Sequence, residues 1–379
     1  MKVAMIINSL EVGGAEISLE NLSHSLSKEV SIEIISLSTL GHIGSRMRNQ
    51  GFIVHECRIE RGFSLISNFI KLIQLIRNIR PDVVHTWMYH SNLLGGIAAK
   101  LAGAHKILWS IHNFNLEKGM LKTSTRILIK TSAFFSYWVP SAIICCSQNS
   151  LETHKKLFYQ NSKLFFLPNG VNADNFQFSD IGRKKVRDEL KLNTEDIVIG
   201  SVGRFDIQKN QLGFIRALAK NKQISRNFIY ILIGRNNDKN NCELINAIND
   251  SGLKSQIKLL GERDDIKDIL SALDIFVLPS LGEAFPISLC EAMLCGLPSI
   301  ATDVGDIKYI LGGIIEPLQI RDLDSIPFKI DNIASQSSIE RKALGNKLKR
   351  RIIENFSIDT IANKHLNIYR SILKILPNV

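Results

Sequence analysis

Short runs of purely apolar residues, each closed by turn-forming residues and followed by an amphipathic stretch, recur from the first residues to beyond position 300. A strand reads apolar throughout when both of its faces are covered, as happens where crossover helices flank a parallel sheet. Segments 3–7, 32–37, 53–56, 83–86, 107–111, 142–146 and 163–167 are the expected strands of a first series, with helices such as 17–26, 65–79 and 93–101 between them. A second series is expected at 197–202, 228–233, 257–260, 275–278 and 299–301. The class is α/β, with two Rossmann-like parallel sheets, and a length of 379 residues itself favours two domains.

Between the two series lies the polar, turn-rich stretch Pro168-Asn169-Gly170-Val171-Asn172-Ala173-Asp174, followed by a charged helix at 183–191, so the linker is placed around residues 168–180. The expected domains are 1–175 and 176–355, with a terminal helical segment at 356–379. Open α/β sheets bind ligands outside the carboxyl ends of their strands. The loops that follow strands, facing a cleft between the halves, are therefore where chemistry is expected.

Several classes are excluded early. An apolar fraction of 45% with 22% charged residues supports a core and rules out disorder, and no repeat of solenoid length is visible. The apolar start at residues 1–7 stops at Asn8, too short for a signal-peptide core. The longest apolar stretch, 134–146, is interrupted by Ser136, Pro140 and Ser141 and falls short of the roughly 20 residues a spanning helix needs. The six cysteines form no C-x-x-C pair, which reads as reduced thiols and a cytoplasmic location.

A net charge of +11 implies an anionic partner: nucleic acid, anionic lipid or a phosphorylated substrate. Residues 1–175 carry 18 Lys and Arg against 11 Asp and Glu, and residues 176–379 carry 29 against 25, so the first half holds more of the excess. No basic run interleaved with aromatic residues appears, and nucleic acid is not expected as a partner.

Three post-strand loops stand out. Leu10-Glu11-Val12-Gly13-Gly14-Ala15-Glu16 runs into a helix, and its glycines either admit an anion to the backbone N–H groups or make a tight turn with no ligand. Gly203-Arg204-Phe205-Asp206-Ile207-Gln208-Lys209-Asn210 follows an apolar strand, so that Arg204 and Lys209 can converge on one diphosphate. The segment 278–293 passes from strand through turn to helix, with Pro286 fitting the first helical turn. It sets Glu283 in the turn and Glu291 on the helix, suited to holding hydroxyls at two points of one elongated ligand. Free N–H groups at the helix start can take phosphate or sugar oxygens.

In these residues the chain resembles the retaining nucleotide-sugar glycosyltransferases of family 4, which have the two-domain GT-B fold. Glu283 to Glu291 matches the family's Glu-x7-Glu motif, Gly203-Arg204 with Lys209 its diphosphate-binding pair, and Gly13-Gly14-Ala15-Glu16 its amino-terminal glycine loop. His85-Thr86-Trp87 with His90, Ser110-Ile111-His112, Cys146-Ser147, Pro168-Asn169-Gly170-Val171 and Thr302-Asp303-Val304-Gly305-Asp306 fall in the family's order.

The resemblance implies that Arg204 and Lys209 neutralise the departing diphosphate. Glu283 holds sugar hydroxyls together with backbone N–H groups around Phe285, Pro286 and Ile287. Glu291 accepts from the ribose, His112 reaches the donor sugar from the amino-terminal domain, and Arg263 lies near the base. It also implies a UDP-linked donor, a saccharide or lipid-linked saccharide acceptor, and a role in the assembly of capsule, O-antigen or exopolysaccharide. The terminal helix, 358–373, is expected to return onto the amino-terminal domain and to govern cleft closure. No metal and no cofactor are expected.

Two departures bear on the sugar pocket: Ala284 stands where the family usually has glycine, and Pro286 where glycine is frequent. Asp322-Leu323-Asp324 has the form of a metal-binding Asp-x-Asp, but no strand precedes it, and it reads as structural. Of the histidines flanking a strand end, His85 reads as a packed structural group, and with His90 it is an alternative lining of the acceptor cleft. Lys122, Arg126 and Lys130 recur at helical spacing beside Ile127, Phe134, Phe135 and Trp138, a basic amphipathic pattern between 118 and 138. It fits either an ordinary domain helix or peripheral contact with the inner face of an anionic membrane.

The alternative functions are a nucleotide-sugar epimerase or hydrolase of the same fold and a non-catalytic, basic membrane-surface or nucleic-acid-binding protein. A dehydrogenase is disfavoured, because neither half carries the glycine fingerprint with its ribose-binding acid.

Overall fold

The computed structural model describes residues 1–59, 64–112, 123–220 and 228–374. The chain divides into two units, one formed by Met1–Gly170 with Ile358–Val379 and the other by Val171–Ser357. The first division thus falls at Gly170, within the predicted linker and ahead of residue 175.

The strands of the first unit are β1 (Lys2–Ile7), β2 (Ser31–Ser36), β3 (Ile53–Glu56), β4 (Val83–Trp87), β5 (Ile107–Ile111), β6 (Ala142–Cys145) and β7 (Leu164–Phe166). They form one sheet in the order β3-β2-β1-β4-β5-β6-β7, and every paired neighbour is parallel. The strand order reverses between β1 and β4, which puts a switch point at the carboxyl ends of those strands. Burial explains the unbroken apolar runs. Along β1, Val3, Met5 and Ile7 enter one core cluster while Ala4 and Ile6 enter another on the opposite face.

The first of these faces is covered by the helices Gly14–Leu26 and Ile358–Leu373. Ile358, Ile361, Ala362, Leu366 and Tyr369 of the terminal helix, spaced three and four apart, belong to that core. The helix is thus part of the first unit's fold, although it follows the second unit in sequence.

The second unit contains β8 (Ile197–Val202), β9 (Phe228–Ile233), β10 (Ile257–Gly261), β11 (Ile275–Leu278) and β12 (Ser299–Ala301). They form a parallel sheet in the order β10-β9-β8-β11-β12. The reversal here lies between β8 and β11, so the Gly203 loop and the Pro279 loop leave the sheet side by side.

Two local differences from the sequence reading have physical causes. Of the helix expected at 93–101, residues 93–95 belong to a π-helical turn, Ser91–Gly95, which follows a turn of α-helix, Met88–His90, and the α-helix proper is Gly96–Leu101. Thr86 Oγ1 donates to Asn92 Oδ1 at 2.7 Å, and Asn92 Nδ2 donates to the Ser110 carbonyl at 3.1 Å, drawing that turn onto β5. Pro286 caps the helix Ile287–Leu294 with extended geometry (φ −74°, ψ 100°) rather than lying inside its first turn.

Candidate active site

In the second unit the loop after β8 is built around Asp206. Its side chain accepts from the Gln208 N–H at 2.9 Å, its carbonyl accepts from the Lys209 N–H at 2.9 Å, and Asn210 closes the turn in the left-handed region (φ 57°). Two bonds fasten this loop to the one after β11: Asn210 Nδ2 donates to the Pro279 carbonyl at 3.1 Å, and the Leu281 N–H donates to the Gln208 carbonyl at 2.7 Å.

That stitching delivers Lys209 to Glu283. Lys209 Nζ donates to Glu283 Oε1 at 2.6 Å, and Ser280 Oγ donates to the same oxygen at 2.7 Å. The pair is well shielded, with 25% of the Lys209 side chain and 8% of that of Glu283 exposed. Arg204, carried by the same loop, is open to solvent and donates to Asp206 at 3.2 Å.

The loop bearing Glu283 rests on the one after β12. Thr302 Oγ1 donates to the Ser280 carbonyl at 2.5 Å, and Gly305 (φ 55°) packs so closely that a Cβ there would lie 2.0 Å from the Glu283 carbonyl oxygen. Glycine is required at that position on both counts. Phe285 is buried against Phe356 at 5.5 Å between ring centroids, and Ile287 opens the helix that carries Glu291. The Glu291 carboxyl has no hydrogen-bond partner among the described residues, and burial pushes its pKa up to about 7.

Arg263 is committed elsewhere. It donates to Asp265 and to Glu189, at 2.8 Å and 2.7 Å, and these bonds raise its own pKa and lower those of both carboxyls. Asp324 of the Asp-x-Asp sequence accepts from Lys220 at 2.7 Å, within the 3-10 helix Ile320–Ser325. Among the described residues, no group of three or more His, Cys, Asp or Glu is arranged to hold a metal ion.

In the first unit Gly13 is the extended N-cap of the helix Gly14–Leu26 and provides no side-chain cap. His112 follows β5, and its ring stacks on Trp87 at 4.5 Å and 11°. Burial, with a smaller contribution from His365, pushes the His112 pKa down to about 3, so its imidazole is neutral. His85 is fully buried under the terminal helix. Lys118, Leu121 and Lys122 lie outside the described residues; Arg126, Ile127, Lys130, Phe134 and Trp138 form an exposed face.

Ser280, Asn210, Thr302 and Gly305 are the supporting residues that the sequence reading did not assign to the site. Ser280, three positions before Glu283 in a short turn, carried the one local signal that could have found it.

A switch-point loop bearing two cations, tied to a loop bearing a carboxylate, can exchange an internal ion pair for a diphosphate and a polyhydroxyl group. The fold is that of GT-B glycosyltransferases. The chain aligns with the Anabaena protein Alr3699/HepE, solved in complex with UDP, at TM-score 0.83 and 20% identity over 98% of this chain and 100% of that one. It aligns with a sucrose-phosphate synthase from Thermosynechococcus elongatus at TM-score 0.80 and 18% identity, over 99% and 100% of the two chains.

The family described as Glycosyltransferase Family 4 matches residues 12–175, and Glycosyl transferases group 1 matches residues 182–313. An Escherichia coli UDP-Gal:alpha-D-GlcNAc-diphosphoundecaprenol alpha-1,3-galactosyltransferase is 30% identical over 326 residues, 80% of this chain and 83% of the relative. The Staphylococcus aureus capsular polysaccharide biosynthesis glycosyltransferase CapH is 25% identical over 301 residues, 77% and 78% of the two chains. This chain belongs to the family 4 glycosyltransferases.

Proposed function

We propose that the protein is a retaining, metal-independent transferase. It moves a sugar from a UDP-linked donor to a lipid-linked saccharide in the assembly of a bacterial surface polysaccharide. The observation that carries the reading is the Lys209–Glu283 pair, held beside Arg204 at the switch point of the second unit. The activity for which the Escherichia coli relative is named supports the donor and acceptor classes.

Transfer breaks the bond between the sugar's anomeric carbon and a diphosphate oxygen and forms one to an acceptor oxygen on the same face. The acceptor proton passes to a donor phosphate oxygen. Negative charge grows on the diphosphate as the bond breaks, so Lys209 and Arg204 stabilise the transition state more than the ground state. Glu283 holds sugar hydroxyls, with Phe285, Pro286 and Ile287 presenting backbone, and Glu291 accepts from the ribose. His112, Gly13 and Gly14 are the first unit's own candidate groups for the reaction; Arg263, already paired to two carboxylates, supports the fold of the second unit. Glu283 is not a nucleophile in this scheme.

The acceptor's lipid requires a membrane surface. Ile127 and Phe134 are each 61% exposed and Trp138 is 58% exposed, on a face that also carries Arg126 and Lys130. No Asp or Glu occurs between residues 118 and 151. Such a face suits peripheral binding to anionic lipid. Among the described residues no helix is long and apolar enough to cross a membrane.

Calorimetric titration with UDP, GDP, ADP and NAD in EDTA tests the donor site first. Preferential binding of UDP supports the reading, and its absence with all four ligands overturns it. Turnover of a UDP-sugar that requires an added polyprenyl-diphosphate saccharide then separates transfer from hydrolysis or epimerisation.

A further inference from the structure

Successive side chains of a strand alternate between faces, so His85 and Trp87 of β4 share a face, as do Leu108 and Ser110 of β5 and His112 just beyond it. Trp87 pairs with Ser110 in the sheet register. Trp87 and Leu108 belong to the core that the terminal helix Ile358–Leu373 completes. Across this face runs a fully buried chain of hydrogen bonds: the Tyr369 hydroxyl with His85 Nδ1 at 2.7 Å, and His85 Nε2 with Ser110 Oγ at 2.7 Å.

The direction of the chain follows from hydrogen-bond capacity. Tyr369 is buried and its hydroxyl has no partner other than His85 among the described residues, so the phenolic proton is donated to Nδ1. His85 is neutral, because burial and the neighbouring His365 and His112 hold its pKa well below the usual value. It therefore carries its proton on Nε2 and donates it to Ser110 Oγ. The Ser110 hydroxyl accepts that bond and keeps its own proton for another partner.

What remains is a cavity of about 10 Å³, room for roughly one water, which Ser110 lines together with His112, Trp87, Ser18, Asn169 and His365. Both ring nitrogens of His112, Trp87 Nε1 and Ser18 Oγ are buried and have no hydrogen-bond partner among the described residues. The Ser110 proton is thus turned toward a space in which an imidazole awaits a donor. The geometry points to Tyr369 and His85 as positioning residues that act on His112 through the Ser110 hydroxyl and one water in this cavity, so that the terminal helix sets the orientation of that imidazole. The inference rests on the reading of His112 as a group serving the transfer reaction, while the link itself lies wholly within the first unit.

The test uses the full chain with ¹⁵N-labelled histidine. In the parent, His85 is expected as the Nε2–H tautomer; finding Nδ1–H overturns the inference. Tyr369→Phe keeps the ring and removes the donor. It should shift the ring signals of both His85 and His112 while leaving those of His24, bonded to Gln50, in place. Unchanged His112 signals overturn the inference.

Kinetically, Tyr369→Phe should lower kcat about tenfold with the donor KM unchanged, and it should cost nothing further in a His112→Ala background. An equal loss in both backgrounds would reveal a role independent of His112. Should Tyr369→Phe fail to fold, Ser110→Ala carries the same two measurements and leaves the helix untouched. Parent-like kcat in a folded His112→Ala protein would remove the reading of His112, while the spectra still decide the link.

Discussion

Lys209 and Glu283, 74 positions apart in sequence, meet at 2.6 Å with Ser280 donating to the same carboxylate oxygen. The ammonium that the proposed reaction assigns to the diphosphate is thus held by the carboxylate that the proposal assigns to the sugar. Under that proposal, donor binding would exchange this internal pair for two contacts with the ligand.

Replacing Lys209 by Ala should lower kcat/KM by about a hundredfold or more, the loss typical of removing one donor that stabilises a developing anion. Ser280 still donates to Glu283, so the fold should hold. Steady-state kinetics beside a thermal melt check both parts; unchanged kcat/KM in a folded variant would sink the assigned role.

Glu283→Gln keeps the shape of the side chain and removes the charge that holds Lys209. UDP should bind more tightly, because the ammonium no longer has to leave a carboxylate, while turnover should fall. Calorimetry and kcat moving in the same direction would contradict the exchange of partners.

Gly305→Ala should destabilise the second unit by about 1–3 kcal/mol through positive φ alone. The 2.0 Å approach to the Glu283 carbonyl oxygen adds displacement of the loop that presents Glu283. Both Tm and turnover should drop, whereas a parent-like melt would show that the loop gives way freely.

With the Glu291 pKa at about 7, its carboxyl is partly protonated at neutral pH and charges as pH rises. A carboxylate accepts from a ribose hydroxyl more strongly than the neutral acid does. UDP affinity should therefore increase from pH 6 to pH 8, and Glu291→Gln should flatten that profile in calorimetric titrations.

The buried imidazoles give the first unit an acid-side weakness. Burial holds His365 down to about 4 and His112 down to about 3, and lowers His85 as well. The unfolded chain takes up protons on these residues below about 6.5, whereas the folded chain does not until its own lower values are reached. Their contribution to stability is intact above pH 6.5 and is lost as pH falls toward 4. Thermal melts across that window should show Tm falling with pH, and His365→Gln, which removes one such group, should lessen the slope.

The proposed membrane face predicts that the parent sediments with vesicles containing anionic lipid, and failure to do so overturns it; replacing Phe134 and Trp138 by Ser should then abolish sedimentation while leaving UDP binding intact. The same loss with neutral and anionic vesicles would assign the contact to the aromatic residues alone. A loss confined to anionic vesicles after Arg126→Ser and Lys130→Ser would assign the rest to charge.

The strand and loop pattern was legible in the sequence because parallel strands buried on both faces leave unbroken apolar runs. The same regularity puts Arg204, Lys209 and Glu283 in loops at the carboxyl ends of β8 and β11, adjacent in the sheet. Local rules specify which residues enter a strand and which follow it; they do not specify which partner a side chain finds. Ser280 on Glu283, Gly305 against its carbonyl, Arg263 between Glu189 and Asp265, and Tyr369 on His85 across 284 positions are all contacts between segments distant in the chain or aimed by a turn. Sequence alone determined the fold class and the loops that carry the charged groups, because periodicity and burial are local signals. Tertiary structure decided how those groups are paired and which are neutral, because hydrogen bonding and desolvation depend on neighbours that only packing brings together.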